Sequence, residues 1–202
     1  MRMWTRWIGA AVVAAGLAAA ASSAPARAQV GPQMLVTMNL AGPVKTAGAA
    51  YFIAFTVNDS LLLGPLSDST NWTHYVLYRD GRFYFGTVPA EPFRPFQFLT
   101  IRPPQPYLYG SVTPDGRALL VRVALSDLGV ALRSGTRIKM NFVTTDTYLK
   151  PVDALGRGPG DQFGFVTLDL RRDRFVTIPH AARGCDDPSL CIAGGALRIT
   201  TP

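Results

Sequence analysis

Ala49-Ala-Tyr-Phe-Ile-Ala-Phe-Thr-Val-Asn-Asp59, a loop, and then Asn71-Trp-Thr-His-Tyr-Val-Leu-Tyr-Arg-Asp-Gly-Arg-Phe-Tyr-Phe85 decide the fold. Tyr51, Ile53, Phe55 and Val57 recur at every second position, the period of a strand with one buried side. Asp80-Gly81 lies between two aromatic runs and marks a tight hairpin, because Gly accepts the positive φ that such a turn needs. The stretch therefore reads as strand, long loop, strand, turn, strand.

Working outward, the same alternation recurs. Gln33 to Leu40 places Met34, Val36, Met38 and Leu40 on one face. Ala118 to Leu125 turns Leu119, Val121 and Val123 inward and Arg122 outward. Arg137 to Thr144 turns Ile138, Met140 and Phe142 inward and Arg137, Lys139 and Asn141 outward. Further strands are expected at Arg82–Val88, Tyr107–Thr113, Phe163–Leu170 and Arg174–Ile178, with a weak closing strand at Ala196–Thr200. Phe96–Ile101 could add another between prolines, which argue against a central strand. Thr145 to Asp161 reads as a polar, Gly-rich loop, and Ser126–Gly129 as a single helical turn. About nine to eleven short antiparallel strands with evenly spaced turns predict an all-β sandwich, of jelly-roll or immunoglobulin-like type.

The first residues stand apart. Arg2 and Arg6 precede an unbroken run of apolar residues and Gly from Ile8 to Ala21, and Ala26-Arg27-Ala28 has small residues where a signal peptidase reads. Residues 1–28 read as a cleaved secretory signal peptide, and 29–202 as one sandwich domain. A secreted or periplasmic location follows. Nothing after the leader is apolar for long enough to span a bilayer as a helix. The leader carries three of the 20 basic residues and none of the 13 acidic ones, leaving 17 against 13 and a net charge of +4. The basic residues are scattered, so nucleic acid is not expected as a partner. Arg122, Arg137 and Lys139 could align as a polyanion stripe, although solvated charges are the ordinary occupants of such faces. In an oxidising compartment Cys185 and Cys191 pair as a disulfide closing a short loop.

Three pieces carry a resemblance. They are Tyr51 to Asp59 with Gly64-Pro65, Trp72 to Tyr78 with Asp80-Gly81-Arg-Phe83, and Gly116-Arg-Ala-Leu-Leu-Val-Arg-Val-Ala-Leu-Ser-Asp-Leu-Gly129. Together, over roughly Gln33 to Leu170, the chain resembles exported β-sandwich domains related to family 9 carbohydrate-binding modules and to DOMON domains. The resemblance implies two ligand classes: sugars stacked on aromatics, often beside a structural calcium, or haem b held by Met with His or Lys.

For sugar, the ligand-binding candidates are Trp72, Tyr75, Tyr78, Tyr107 and Arg94, with Trp72 foremost because it enters a strand from a loop; an aromatic ring offers an apolar face to sugar C–H groups. Packing is the competing role for every one of them. For calcium the acidic loop offers Asn58, Asp59 and Asp68, fewer carboxylates than the ion usually takes; ordinary Asx turns are the competing reading. The haem ligands on offer are His74, His180, Met34, Met38, Met140 and Lys139, and no Cys-x-x-Cys-His occurs. No cofactor is the first expectation, calcium the second, haem the last.

For catalysis there is no Gly-x-Ser-x-Gly and no His-Glu-x-x-His, and beyond the leader there are only two histidines and one glutamate, Glu91. The sequence thus points to an exported, non-catalytic module that binds glycan. The alternatives are an envelope assembly protein working through protein contacts and a haem-binding redox domain.

Overall fold

The computed structural model describes residues 31–58, 62–90, 94–132, 137–155, 164–180 and 185–201. Residues 1–28, read as a leader, lie outside them. Twelve strands form two antiparallel sheets packed face to face, one strand more than the upper expectation. The first sheet has the order β11 (Phe175–Pro179), β12 (Ile192–Thr200), β1 (Gln33–Leu40), β7 (Ala118–Ala124), β6 (Gly110–Val112). The second runs β10 (Val166–Asp169), β8 (Arg137–Asp146), β2 (Ala49–Thr56), β3 (His74–Arg79), β4 (Arg82–Thr87), β5 (Gln105–Pro106), with β9 (Pro151–Ala154) also on β8. No helix among the described residues is long and apolar enough to cross a membrane.

The alternation fixes what lies between the sheets. Met34, Val36, Met38, Leu119, Val121 and Val123 from the first sheet meet Tyr51, Ile53, Phe55, Ile138, Met140 and Phe142 from the second, all buried. The Asp80-Gly81 hairpin forms as expected: both residues have positive φ, 51° and 74°, and Arg79 faces Arg82 across a two-residue loop. A 3₁₀ turn at Leu125–Leu128 closes on Gly129 at φ 68°, the left-handed position Gly takes without penalty.

Four elements differ from the sequence reading. Phe98–Ile101 is a single helical turn, α1, instead of a strand. Of the strand expected at Tyr107–Thr113 only Gly110–Val112 forms, as β6 at the edge of the first sheet; Tyr107 to Tyr109 is the crossing from β5, which precedes it at the edge of the second. Pro151–Ala154, read as loop, is a strand because β8 runs on to Asp146 and supplies its partners. The weak closing strand is nine residues long and lies between β11 and β1. Its Gly194-Gly195 hides it from a propensity reading. A Cβ on Gly195 would lie 2.2 Å from the Thr37 carbonyl oxygen, so this strand tolerates no side chain there.

The basic stripe does not form. Arg122 belongs to the first sheet while Arg137 and Lys139 belong to the second, so their outward faces lie on opposite sides of the sandwich. Lys139 and Asn141 do point away from the inter-sheet core, yet both are buried, at 0% and 2% exposure. The outer face of the second sheet is roofed.

The roof is a second apolar core. Ala50, Phe52 and Ala54 of β2, with Tyr75 and Leu77 of β3, pack beneath Trp72, Phe96 and Phe98. β2 is consequently buried along its whole length, on both faces. The loop from β2 to β3 completes the cover: Asn141 Nδ2 donates to the Pro65 carbonyl (2.8 Å), and Gly64 lies against the Phe165 ring with no room for a Cβ.

Candidate functional site

Where the β2–β3 loop meets the connection from β4 to α1, the roof opens into a cleft of about 420 Å³. Asp68-Ser-Thr-Asn71 shapes one wall. The Asp68 carboxylate accepts from the Thr70 amide (2.9 Å), an Asx turn of the kind expected for these residues. The Leu66 amide donates to the Thr70 carbonyl (3.0 Å), and the Trp72 indole N–H donates to the Leu66 carbonyl (2.7 Å). Thr56 Oγ1 donates to the Asn71 carbonyl. Thr73 Oγ1 accepts from the Val57 amide (3.1 Å) and donates to the Phe55 carbonyl (3.1 Å). The wall is thus tied to β2 at its base.

Its backbone is unusual. Ser69 and Asn71 have φ of 69° and 62°, and Phe96, whose amide donates to Ser69 Oγ at 2.9 Å, has φ of 58°. A bulky residue at positive φ costs free energy that the surroundings must offset, on the order of 1–3 kcal/mol. Three of the five such non-glycine residues among those described cluster at this cleft.

Four residues singled out in the sequence meet here: Asn58, Asp68, Trp72 and Arg94 all line the cleft. They came from two separate expectations, metal and sugar, and from segments distant along the chain. Ser69, Thr70, Asn71 and Thr73 were missed as site residues. The signal was present, since a run of Asp, Ser, Thr and Asn is a turn signature, but it carries no mark of a ligand.

The aromatic expectation needs correction in three of its four rings. Trp72 is only 4% exposed, with Phe52, Phe96 and Phe98 at centroid distances of 5.3, 5.6 and 5.9 Å, so its faces are covered and only an edge borders the cleft. Tyr75 is wholly buried against Phe98 (5.0 Å). Tyr78 lies in the inter-sheet core beside Phe83 (4.7 Å). Burial pushes the hydroxyl pKa of both tyrosines upward. Tyr107, half-buried, stacks on Phe85 (5.5 Å) at the crossing between sheets, away from the cleft. Arg94 is exposed.

For calcium, Asp59 lies outside the described residues. Asn58 gives both its carbonyl and its Oδ1 to the Lys139 ammonium, each at 2.6 Å. A positive charge already occupies the position from which a dication would draw those oxygens. The haem candidates are scattered. Met34, Met38 and Met140 sit between the sheets, His74 Nδ1 is 3.0 Å from Thr73 Oγ1, and His180 Nε2 is 3.5 Å from Asp153 Oδ1. Burial lowers the His74 pKa below its usual 6.5.

Cys185 and Cys191 form the expected disulfide, with Cα atoms 5.7 Å apart. Its loop is fastened to the body: Lys45 pairs with Asp187, and the Tyr51 hydroxyl donates to the Ser189 carbonyl (3.0 Å). Burial raises the Tyr51 phenol to about 12.

Comparison of the chain with protein-family models, with curated proteins and with solved structures gave no match.

Proposed function

We propose that this protein is an exported, non-catalytic binding module that takes a carbohydrate at the cleft between the β2–β3 loop and the β4–α1 connection. What supports the reading is the pre-formed wall of Asp68 to Asn71, in which Ser69 and Asn71 are held in left-handed backbone within a hydrogen-bond scaffold. Strained conformations persist only where the surroundings over-determine them, and they gather at ligand sites. Short hydroxyl, amide and carboxylate groups line the cleft with Arg94 and present both donors and acceptors, the complement of a ring of hydroxyls. Val88 and Pro89 give the cleft an apolar margin for sugar C–H groups. The resemblance to family 9 carbohydrate-binding-like domains points the same way. Recognition here works through hydrogen bonds, because the Trp72 faces are spent on packing.

The extracytoplasmic setting is supported by the disulfide together with the leader-like first residues. Assembly by strand addition is less well supported. The sheet edges β5, β6, β9, β10 and β11 have two, three, four, four and five residues, and β5, β9 and β11 carry Pro106, Pro151 and Pro179 at one end. Short edges with proline discourage pairing with another chain.

Titration calorimetry of residues 29–202 against a panel of oligosaccharides tests the reading. At least one glycan binds, and Arg94→Ala and Asp68→Ala each weaken it by about tenfold while the melting temperature holds. A silent panel, or a glycan whose affinity ignores both substitutions, overturns it. Trp72→Ala is not a useful probe, since it dismantles the roof.

A further inference from the structure

We propose that the outer face of the five-stranded sheet is a second ligand site, for an amphipathic anion: a carboxylate on an alkyl chain. The strand register sets one transverse row across this face as Phe175, Arg198, Leu35 and Arg122. The next row on the same side contains Leu120. An antiparallel sheet facing water normally carries polar side chains there. Here Phe175 is 65% and Leu120 39% exposed, and Leu108, on the crossing between sheets, is 72% exposed. These side chains line one groove of about 630 Å³, within the roughly 300–1,000 Å³ typical of small-molecule sites.

The charge is as one-sided as the apolar surface. The groove is lined by two arginines and no acidic residue. Arg198 and Arg122 each neighbour Leu35, two strand spacings or about 10 Å apart at the backbone. No described carboxylate forms an ion pair with either guanidinium. Each guanidinium presents five donors in a planar fork suited to a carboxylate. Two of them over Leu35 hold one anionic head, while Phe175 on one flank and Leu108 with Leu120 on the other take the apolar chain. A neutral apolar ligand would leave the arginines idle, and a polyanion would gain nothing from the exposed rings and branches. The head–tail combination alone uses every feature of the groove.

Octanoate, octanol and acetate are titrated separately into residues 29–202 by calorimetry. Octanoate binds, octanol and acetate bind at least about tenfold more weakly, and added salt lowers the octanoate affinity. Arg122→Gln and Arg198→Gln each cost about tenfold or more, and Phe175→Ala weakens binding without moving the salt dependence. All three side chains are on the surface, so melting temperatures hold. Arg94→Ala, in the polar cleft, leaves octanoate binding unchanged, which separates this site from the glycan reading. Absence of octanoate binding, equal binding of octanol, or full octanoate binding by the Arg122→Gln/Arg198→Gln double variant overturns the proposal.

Discussion

The outer faces of the two sheets are built by one rule and end in opposite states. On the second sheet, Phe52, Tyr75 and Leu77 are roofed by Trp72, Phe96 and Phe98, and even Lys139 and Asn141 are buried. On the first, Leu120 and Phe175 stay exposed and Leu35 half-buried beside the exposed Arg122 and Arg198. Alternation along a strand says which side chains share a face; it does not say what that face meets. The cover comes from elsewhere in the chain, from a β2–β3 loop and a proline-rich connection that bring three large rings and their own hydrogen bonds.

Truncation on the two faces should separate them most sharply. Trp72→Ala removes the centre of the roof and should cost about 3–5 kcal/mol, read by urea unfolding. Phe175→Ala on the bare face should change stability by less than about 0.5 kcal/mol. Equal losses would mean that the bare face is packed in solution.

Lys139→Met keeps the stem but withdraws the ammonium from Asn58, leaving two half-buried oxygens without that donor. A loss of about 2–3 kcal/mol is expected. Because that ammonium serves the loop as its cation, calcium or EDTA should leave the wild-type melting temperature unchanged. A calcium-dependent rise would show that the loop takes a metal after all.

Tyr75→Phe is expected to move stability the other way. The Tyr75 hydroxyl is buried with no hydrogen-bond partner among the described residues, and the Gly86 backbone is pressed against the end of its ring. Removing the oxygen should raise stability by about 1 kcal/mol, or roughly 2–4 °C in melting temperature. A loss would reveal a bound partner for the hydroxyl.

The smallest effect is a pH dependence at His74, whose ring lies 6.1 Å from Phe85 on the inter-sheet side of β3. Burial holds the His74 pKa below 6.5, so the unfolded chain accepts a proton that the folded imidazole refuses. Stability is then fully present above pH 6.5 and falls as pH drops from there through the folded pKa. His74→Gln should flatten that segment of a melting-temperature profile. Asp187 contributes in a separate window. The hydrogen bond from Lys45, foremost, lowers its pKa below 3.8, so its stabilisation is lost only under stronger acid.

These contrasts explain what was legible in the sequence. β1, β2, β7 and β8 could be read because their inner faces alternate cleanly, and the Asp80-Gly81 hairpin because its geometry demands those residues. The disulfide followed from chemistry and spacing. β9 could not be read and β12 only in its second half, Ala196–Thr200: one contains Pro and Asp, the other begins around a Gly pair, and both take their full length because other strands offer them partners. Asn58, Asp68 and Arg94 were individually visible as polar residues with potential, but only the fold brings them to one cleft. Trp72 was misjudged because a loop-to-strand position says nothing about Phe96 and Phe98, more than twenty residues away, closing over the ring.

The place of β12 makes the first sheet depend on the last segment of the chain. The last nine strand residues lie in the interior of the first sheet, with β11 on one side and β1 on the other. Until they arrive, β1 lacks one partner and β11 lacks its only one. The second sheet has all its strands from earlier segments. A chain truncated before Ile192 would leave β1 with β7 alone and β11 with no partner, and so would uncover part of the inner face of the second sheet.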